Sequence, residues 1–443
     1  MPSPPSLGIL CSTHCLPSRK RWIQLIKNRR RSNHARDDSE TNGGLGVNKN
    51  PESFPYSIVP LHRRPRKRLR KRGCSDDVAS PSKKIRLLKI LPNRSGDLIA
   101  CDLRAVDLHD ATYDALSYTW GPTTRKEAAS GMDSERRYPI MCNNKRLLVT
   151  VNLFSCLEQL EKNRHYHRDL WIDAICINQN DPPERNQQVQ IMGDIYRSAE
   201  RVIVWLGPSY EDAKPAWESI KALNDLPKDE KNNILPARIP HMPNDDNWDS
   251  LASLFARSWF SRIWVVQELV LARETTILCG DYTFDWSDMV SVSDFMSRQA
   301  STNTFKAHSS RNSGTNLLSY KNPSKLDAIR RDKNGGNAQV RSGDILLRNM
   351  VRCRTYEASK DLDKVYSLLG LADPGLGCRL LPDYEKEVSE VYIDAAKYIL
   401  ENTDDLHILA HAEGEDFKRV TGLPTWVPDW GVKEHVGLRI TGW

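Results

Sequence analysis

At 443 residues, with 39% hydrophobic content and a formal net charge of +7, the chain has length for two or three domains. The charge is unevenly spread: residues 1–84 carry 19 Lys and Arg against 6 Asp and Glu, whereas residues 85–443 carry 45 basic against 51 acidic. The overall charge is therefore no argument for a nucleic-acid-binding fold, and ten cysteines without a CxxC pair, beside histidines without HExxH, argue against zinc.

Scattered thiols suit a reducing, intracellular, cytoplasmic setting. No apolar run approaches the ~20 residues that span a bilayer, so no membrane association is expected. In chain order, residues 1–84 are rich in Pro, Ser, Gly, Asn, Lys and Arg, and should form a disordered tail. Within them the run from Arg63 to Arg72 (RRPRKRLRKR) has eight basic residues in ten. It reads either as a nuclear-localisation or polyanion-binding patch or as a solvated tail. The folded part should begin with a strand at KIRLLKI, from Lys84. A second strand over residues 97–107 completes a hairpin, and YDALSYTWG, from Tyr113, is a strand ending in a polar turn. VNLFSCLEQLEK, from Val151, is an amphipathic helix with Asn152 as its cap.

The stretch LWIDAICINQNDPPERNQQVQIMGDIYRSAERVIVWLG, from Leu170 to Gly207, carries the most information. Leu170 to Ile177 is nearly all apolar and reads as a strand buried on both faces. Asp181, followed by two prolines and Glu184, supplies an N-cap and first turn. Val189, Met192, Ile195 and Ala199 give the helix one apolar face, and RVIVWL is a second buried strand stopped by Gly207 and Pro208. Strand, helix and strand make a parallel crossover, so the class is α/β. A helix over 213–226, a long helix over 249–273 and a strand over 275–279 follow. Residues 291–343 read as an insertion or mobile loop, and residues 344–443 as a mainly helical extension with helices over 344–352, 363–371 and 389–401.

Together YDALSYTWG, LWIDAICINQND with VIVWLG, and RSWFSRIWVVQEL resemble the heterokaryon incompatibility (HET) domain of filamentous fungi, over residues 85–290 with a motif core at 113–272. The helix also resembles the Trp-x-x-x-Glu helix of Toll/interleukin-1 receptor (TIR) domains, with Trp264 and Glu268 at the matching positions. These resemblances imply a TIR-like (flavodoxin-like) open parallel sheet with helices on both faces. They imply an effector of cell death in non-self recognition, with Glu268 as catalytic carboxylate in cleavage of the glycosidic bond of NAD. NAD enters only as a substrate, and no cofactor or metal is expected.

Read from its surroundings, Glu268 lies on an apolar helix where a carboxylate is costly unless partnered or used. It is either catalytic or a structural partner of Arg257, Arg262 or Arg273. Asp173 sits within a buried strand as a partner for Arg262 or a substrate ligand. Ser117, Trp120 and Gly121 form a turn that either cradles a phosphate or simply ends the strand. With Arg262 and Trp264 these are the candidate substrate-binding residues. Glu184 and Arg185 read as helix decoration, Trp205 and Trp259 as core, and Cys176 as an inert thiol. Three functions remain open: an NAD-consuming effector, a non-catalytic module that self-associates under a separate sensor protein, and a nuclear regulator binding nucleic acid through its tail.

Overall fold

The computed structural model describes residues 54–61, 83–92, 98–124, 127–128, 136–162, 167–227, 245–299, 319–335, 340–372 and 380–433. Arg63 to Arg72 lie outside the described residues. Nine strands form one mixed sheet in the order β5-β4-β2-β1-β6-β3-β7-β8-β9. They are β1 (Lys84–Ile90), β2 (Ala100–Asp107), β3 (Asp114–Tyr118), β4 (Arg137–Cys142), β5 (Lys145–Thr150), β6 (Leu170–Trp171), β7 (Arg201–Trp205), β8 (Glu274–Cys279) and β9 (Tyr282–Phe284). The centre matches expectation: β6, β3, β7 and β8 are mutually parallel, and β3 and β7 are buried along almost their whole length. Around the expected parallel centre the sheet is mixed, and the expected β1–β2 hairpin is part of it. β1 runs antiparallel to β6 and β2, and hairpins extend both edges. The β4–β5 hairpin was not foreseen; Asn143 and Asn144 turn it at φ 47° and 59°, a conformation Asn tolerates better than most residues.

The helices are α1 (Val151–Lys162), α2 (Asp173–Cys176), α3 (Pro182–Gln190), α4 (Met192–Ser198), α5 (Ala213–Asp225), α6 (Asp245–Phe255), α7 (Trp264–Val270), α8 (Trp286–Gln299), α9 (Asn322–Asn334), α10 (Ser342–Arg352), α11 (Asp363–Tyr366), α12 (Leu369–Ala372) and α13 (Val388–Glu401). Several correct the sequence reading. The buried strand expected from Leu170 to Ile177 pairs only over Leu170–Trp171 and then coils into α2. The expected helix over 249–273 is three pieces: α6, a 3-10 turn at Ser258–Ser261, and α7. Asn152 does not cap α1; it lies inside that helix, accepts from the Trp205 indole at 2.8 Å and donates to the Thr119 carbonyl at 2.7 Å. Residues 322–334, expected in a loop, are helix α9. The Asp181 cap is as expected, accepting from the Glu184 N–H at 3.3 Å.

All described residues belong to one unit, Phe54–Trp443, so the extension and the sheet share a core. Trp205 and Trp259 are both buried in it. The extension closes on itself through buried polar groups. Asp429 accepts from the N–H groups of Arg419, Val420 and Gly431, and Arg354 donates to the carbonyls of Val432 and Asp429 while pairing with Glu413. Residues 54–61, inside the stretch expected to be a free tail, also pack on the domain, with Phe54, Val59 and Leu61 buried.

Candidate functional site

Three motif blocks converge at the carboxyl ends of β3 and β6, where open α/β sheets hold their ligands. β3 delivers Ser117 and, just beyond it, Trp120; α2 begins with Asp173; the 3-10 turn and α7 bring Trp259, Arg262, Trp264 and Glu268. The break in the expected long helix is what allows this. Arg262 closes the 3-10 turn and Glu268 lies within α7, and both reach the end of β3, Arg262 at the Tyr118 carbonyl and Glu268 at the Ser117 hydroxyl.

Glu268 is only 2% exposed. The Ser117 hydroxyl donates to its Oε2, and the same hydroxyl accepts from the Trp259 indole N–H at 2.7 Å. This chain fixes the serine in one orientation, as acceptor from tryptophan and donor to glutamate. Burial pushes the Glu268 carboxyl up to about 7, partly offset by the Arg262 charge and the Ser117 hydrogen bond, with Asp173 adding to the rise. Arg262 is not clamped to either acid; its Nη1 donates to the Tyr118 carbonyl, and its charge acts on Glu268 and Asp173 together. Arg257, another expected partner of Glu268, pairs with Asp212 at 3.1 Å.

Asp173 is half-buried, and its carboxyl is raised by burial, against the Arg262 charge and the hydrogen bonds from Ala174 and Trp120. Its Oδ2 accepts from the Trp120 indole at 3.0 Å. Trp120 is 40% exposed, so here the cluster reaches solvent. Gly121 stands beside it with open space where a Cβ would be. Cys176 is buried and its thiol is pushed up to about 12 by burial, which leaves it protonated and inert.

The sequence reading missed several contributors. The sequence points to Trp259 as core alone, although it also orients Ser117. Asp363, from the extension, is buried, hydrogen-bonded by Tyr384 at 2.7 Å and by Trp264, and feels the Arg262 charge. A third acid thus faces Arg262 from a part of the chain 101 residues further on. Glu184 is more than helix decoration, because both its oxygens bind the buried Arg86 guanidinium, at 2.6 and 2.9 Å. No signal in the sequence joins Arg86 or Asp363 to the motif blocks, since each pairing is long-range.

The fold and site define a class: a mixed α/β domain with a buried glutamate, a half-buried aspartate and a shared arginine at its parallel strand ends. Residues 113–268 match the family model described as "Heterokaryon incompatibility protein (HET)". The chain is similar to "Heterokaryon incompatibility protein 6, OR allele" of Neurospora crassa, 27% identical over 407 residues, covering 80% of this chain and 58% of that protein. It thus spans somewhat over half the length of that relative. No solved structure matches, so the expected TIR-like order finds no support among known folds.

Proposed function

We propose that this chain is an effector of fungal non-self recognition, of the heterokaryon incompatibility kind, and that the Ser117–Glu268–Arg262–Asp173 cluster is its working centre. The role is supported by the HET domain and by the name of its Neurospora relative. The centre is supported by one observation above all: three separate blocks of the HET domain place their polar side chains in one cluster at the strand ends, around a single guanidinium. Among the described residues no helix is long and apolar enough to cross a membrane. In this reading a separate sensor protein supplies the trigger.

The finer reading is cleavage of the nicotinamide glycosidic bond of NAD. The bond from ribose C1 to the pyridinium nitrogen breaks, neutral nicotinamide leaves with the bonding pair, and water adds to C1. Glu268, raised to about 7, suits both stabilising positive charge at C1 and accepting the proton that the water releases. Its near-complete burial favours the rival reading, a non-catalytic module acting by self-association, in which Glu268 only shapes the fold. NAD consumption by the purified full chain, wild type against Glu268→Gln, separates the two. Loss of NAD that disappears in the variant supports catalysis, whereas no NAD loss in either removes it. The nuclear reading rests on Arg63 to Arg72, outside the described residues.

A further inference from the structure

Helix α2 is four residues long, too short to hold itself together. Its last carbonyls need partners from elsewhere, and both partners lie outside the helix. The Ile175 carbonyl accepts from the Tyr56 hydroxyl at 2.9 Å, and the Cys176 carbonyl accepts from Arg86 Nη1 at 3.0 Å. Arg86, 1% exposed, also donates from Nε to the Val59 carbonyl at 2.6 Å and lies 4.9 Å from the centroid of the Tyr56 ring. Glu184, which neutralises Arg86, takes the Asn178 N–H at 2.7 Å as well. The turn from Asp173 to Asn178 is therefore held by one hub, and residues 54–61 form one wall of it. We propose that residues 54–61 are a releasable strap that sets the Asp173 turn of the centre, so that displacing the strap loosens that turn.

The strap is built for release. Three apolar side chains, Phe54, Val59 and Leu61, are buried, while Ile58 faces outward at 47% exposure. Burial of three side chains and two hydrogen bonds are set against the ordering of an eight-residue segment, so the net hold is small. The turn it holds carries Asp173, whose carboxylate meets the exposed Trp120, so strap and solvent-facing edge of the cluster are joined through one short helix. A grip on the chain N-terminal or C-terminal to the strap would act on this contact directly. The biological consequence rests on the working centre proposed above; the contact itself does not.

Hydrogen exchange of the full chain, read by mass spectrometry, tests the strap without any assay of activity. In the double variant Val59→Asp, Leu61→Asp the amides of residues 174–179 should exchange about tenfold faster or more, while those of β7 stay unchanged. Tyr56→Phe, which removes one hydrogen bond, should give a smaller acceleration confined to the same turn. Free peptide of the sequence FPYSIVPL should restore protection to the double variant. Unchanged exchange at residues 174–179 in the double variant would overturn the proposal. So would equal acceleration of the turn and of β7, because the segment would then be ordinary core rather than a strap.

Discussion

Glu268 is the residue on which physical chemistry bears hardest. A carboxyl raised by burial from 4.5 to about 7 favours the protonated folded state. Between these values the unfolded chain releases its proton while the folded one retains it, so this group's contribution to stability falls as pH rises from about 4.5 to about 7 and stays low above. Glu268→Gln removes that dependence and keeps a side chain able to accept from Ser117. The melting temperature of the variant relative to wild type should therefore climb between pH 5 and pH 8, by a few degrees or so. Parallel melting curves check this, and a gap independent of pH would mean that Glu268 titrates normally. Asp173 behaves differently, because its carboxylate is half-buried and its indole partner stands in solvent. Asp173→Asn should leave the melting temperature within about 2 °C, since an exposed hydrogen bond contributes little, yet it should quench or shift Trp120 emission. A drop of many degrees would place Asp173 in the core instead.

At the scale of elements, the helix that carries Glu268 is gripped by the extension. With its amide oriented to satisfy both partners, Gln267 donates to the Ser367 carbonyl at 3.2 Å and accepts from the Gly193 N–H at 3.0 Å. A Cβ on Gly370 would stand 2.7 Å from the end of that amide and 3.2 Å from the Gly193 Cα. Gly370→Ala thus wedges α12 away from α4 and α7, at a cost of about 1–3 kcal/mol as for other overpacked sites. Denaturant unfolding measures it, and a neutral result would show slack at this junction. Trp259→Ala should cost about 3–5 kcal/mol, since it empties a large buried site and leaves Ser117 without its donor. Soluble Trp259→Ala protein of wild-type stability would show that the cluster does not depend on its aromatic wall. These junctions also explain what the sequence reveals. Period and capping announce β1, β3, β7, the Asp181 cap, α10 and α13, because those signals are local, whereas the helix expected over 363–371 splits into α11 and α12. The short strand β6 and the coil into α2 do not announce themselves. An apolar run such as LWIDAICI fits a strand or a buried turn equally well, and only the Arg86 hub decides between them. Likewise, the break after Phe255 leaves the apolar pattern intact on both sides, so periodicity alone reads through it.

For the whole molecule, residues 54–61, within the expected tail, pack on the domain. Removing residues 1–53 should leave the unfolding transition within about 1 °C, whereas removing residues 1–61 should lower it by a few degrees, as three buried side chains and two hydrogen bonds are lost. Equal melting temperatures for the two truncations would contradict the packing of the strap. The candidate residues named from sequence, Ser117, Trp120, Asp173, Arg262, Trp264 and Glu268, do meet, because local motifs already sit at the ends of parallel strands. What sequence does not reveal is how they meet. Glu268 is sealed beneath a serine and a tryptophan, and only the fold brings Asp363 to Arg262 and Arg86 to the turn that follows Asp173. The most direct test is inducible expression of the full chain in a filamentous fungus, with growth arrest scored at matched protein abundance. Wild type should arrest growth, and Glu268→Gln should be equally abundant and harmless. A Glu268→Gln protein that is abundant, folded and fully toxic would contradict the account, because the carboxylate would then not be the working group of the centre.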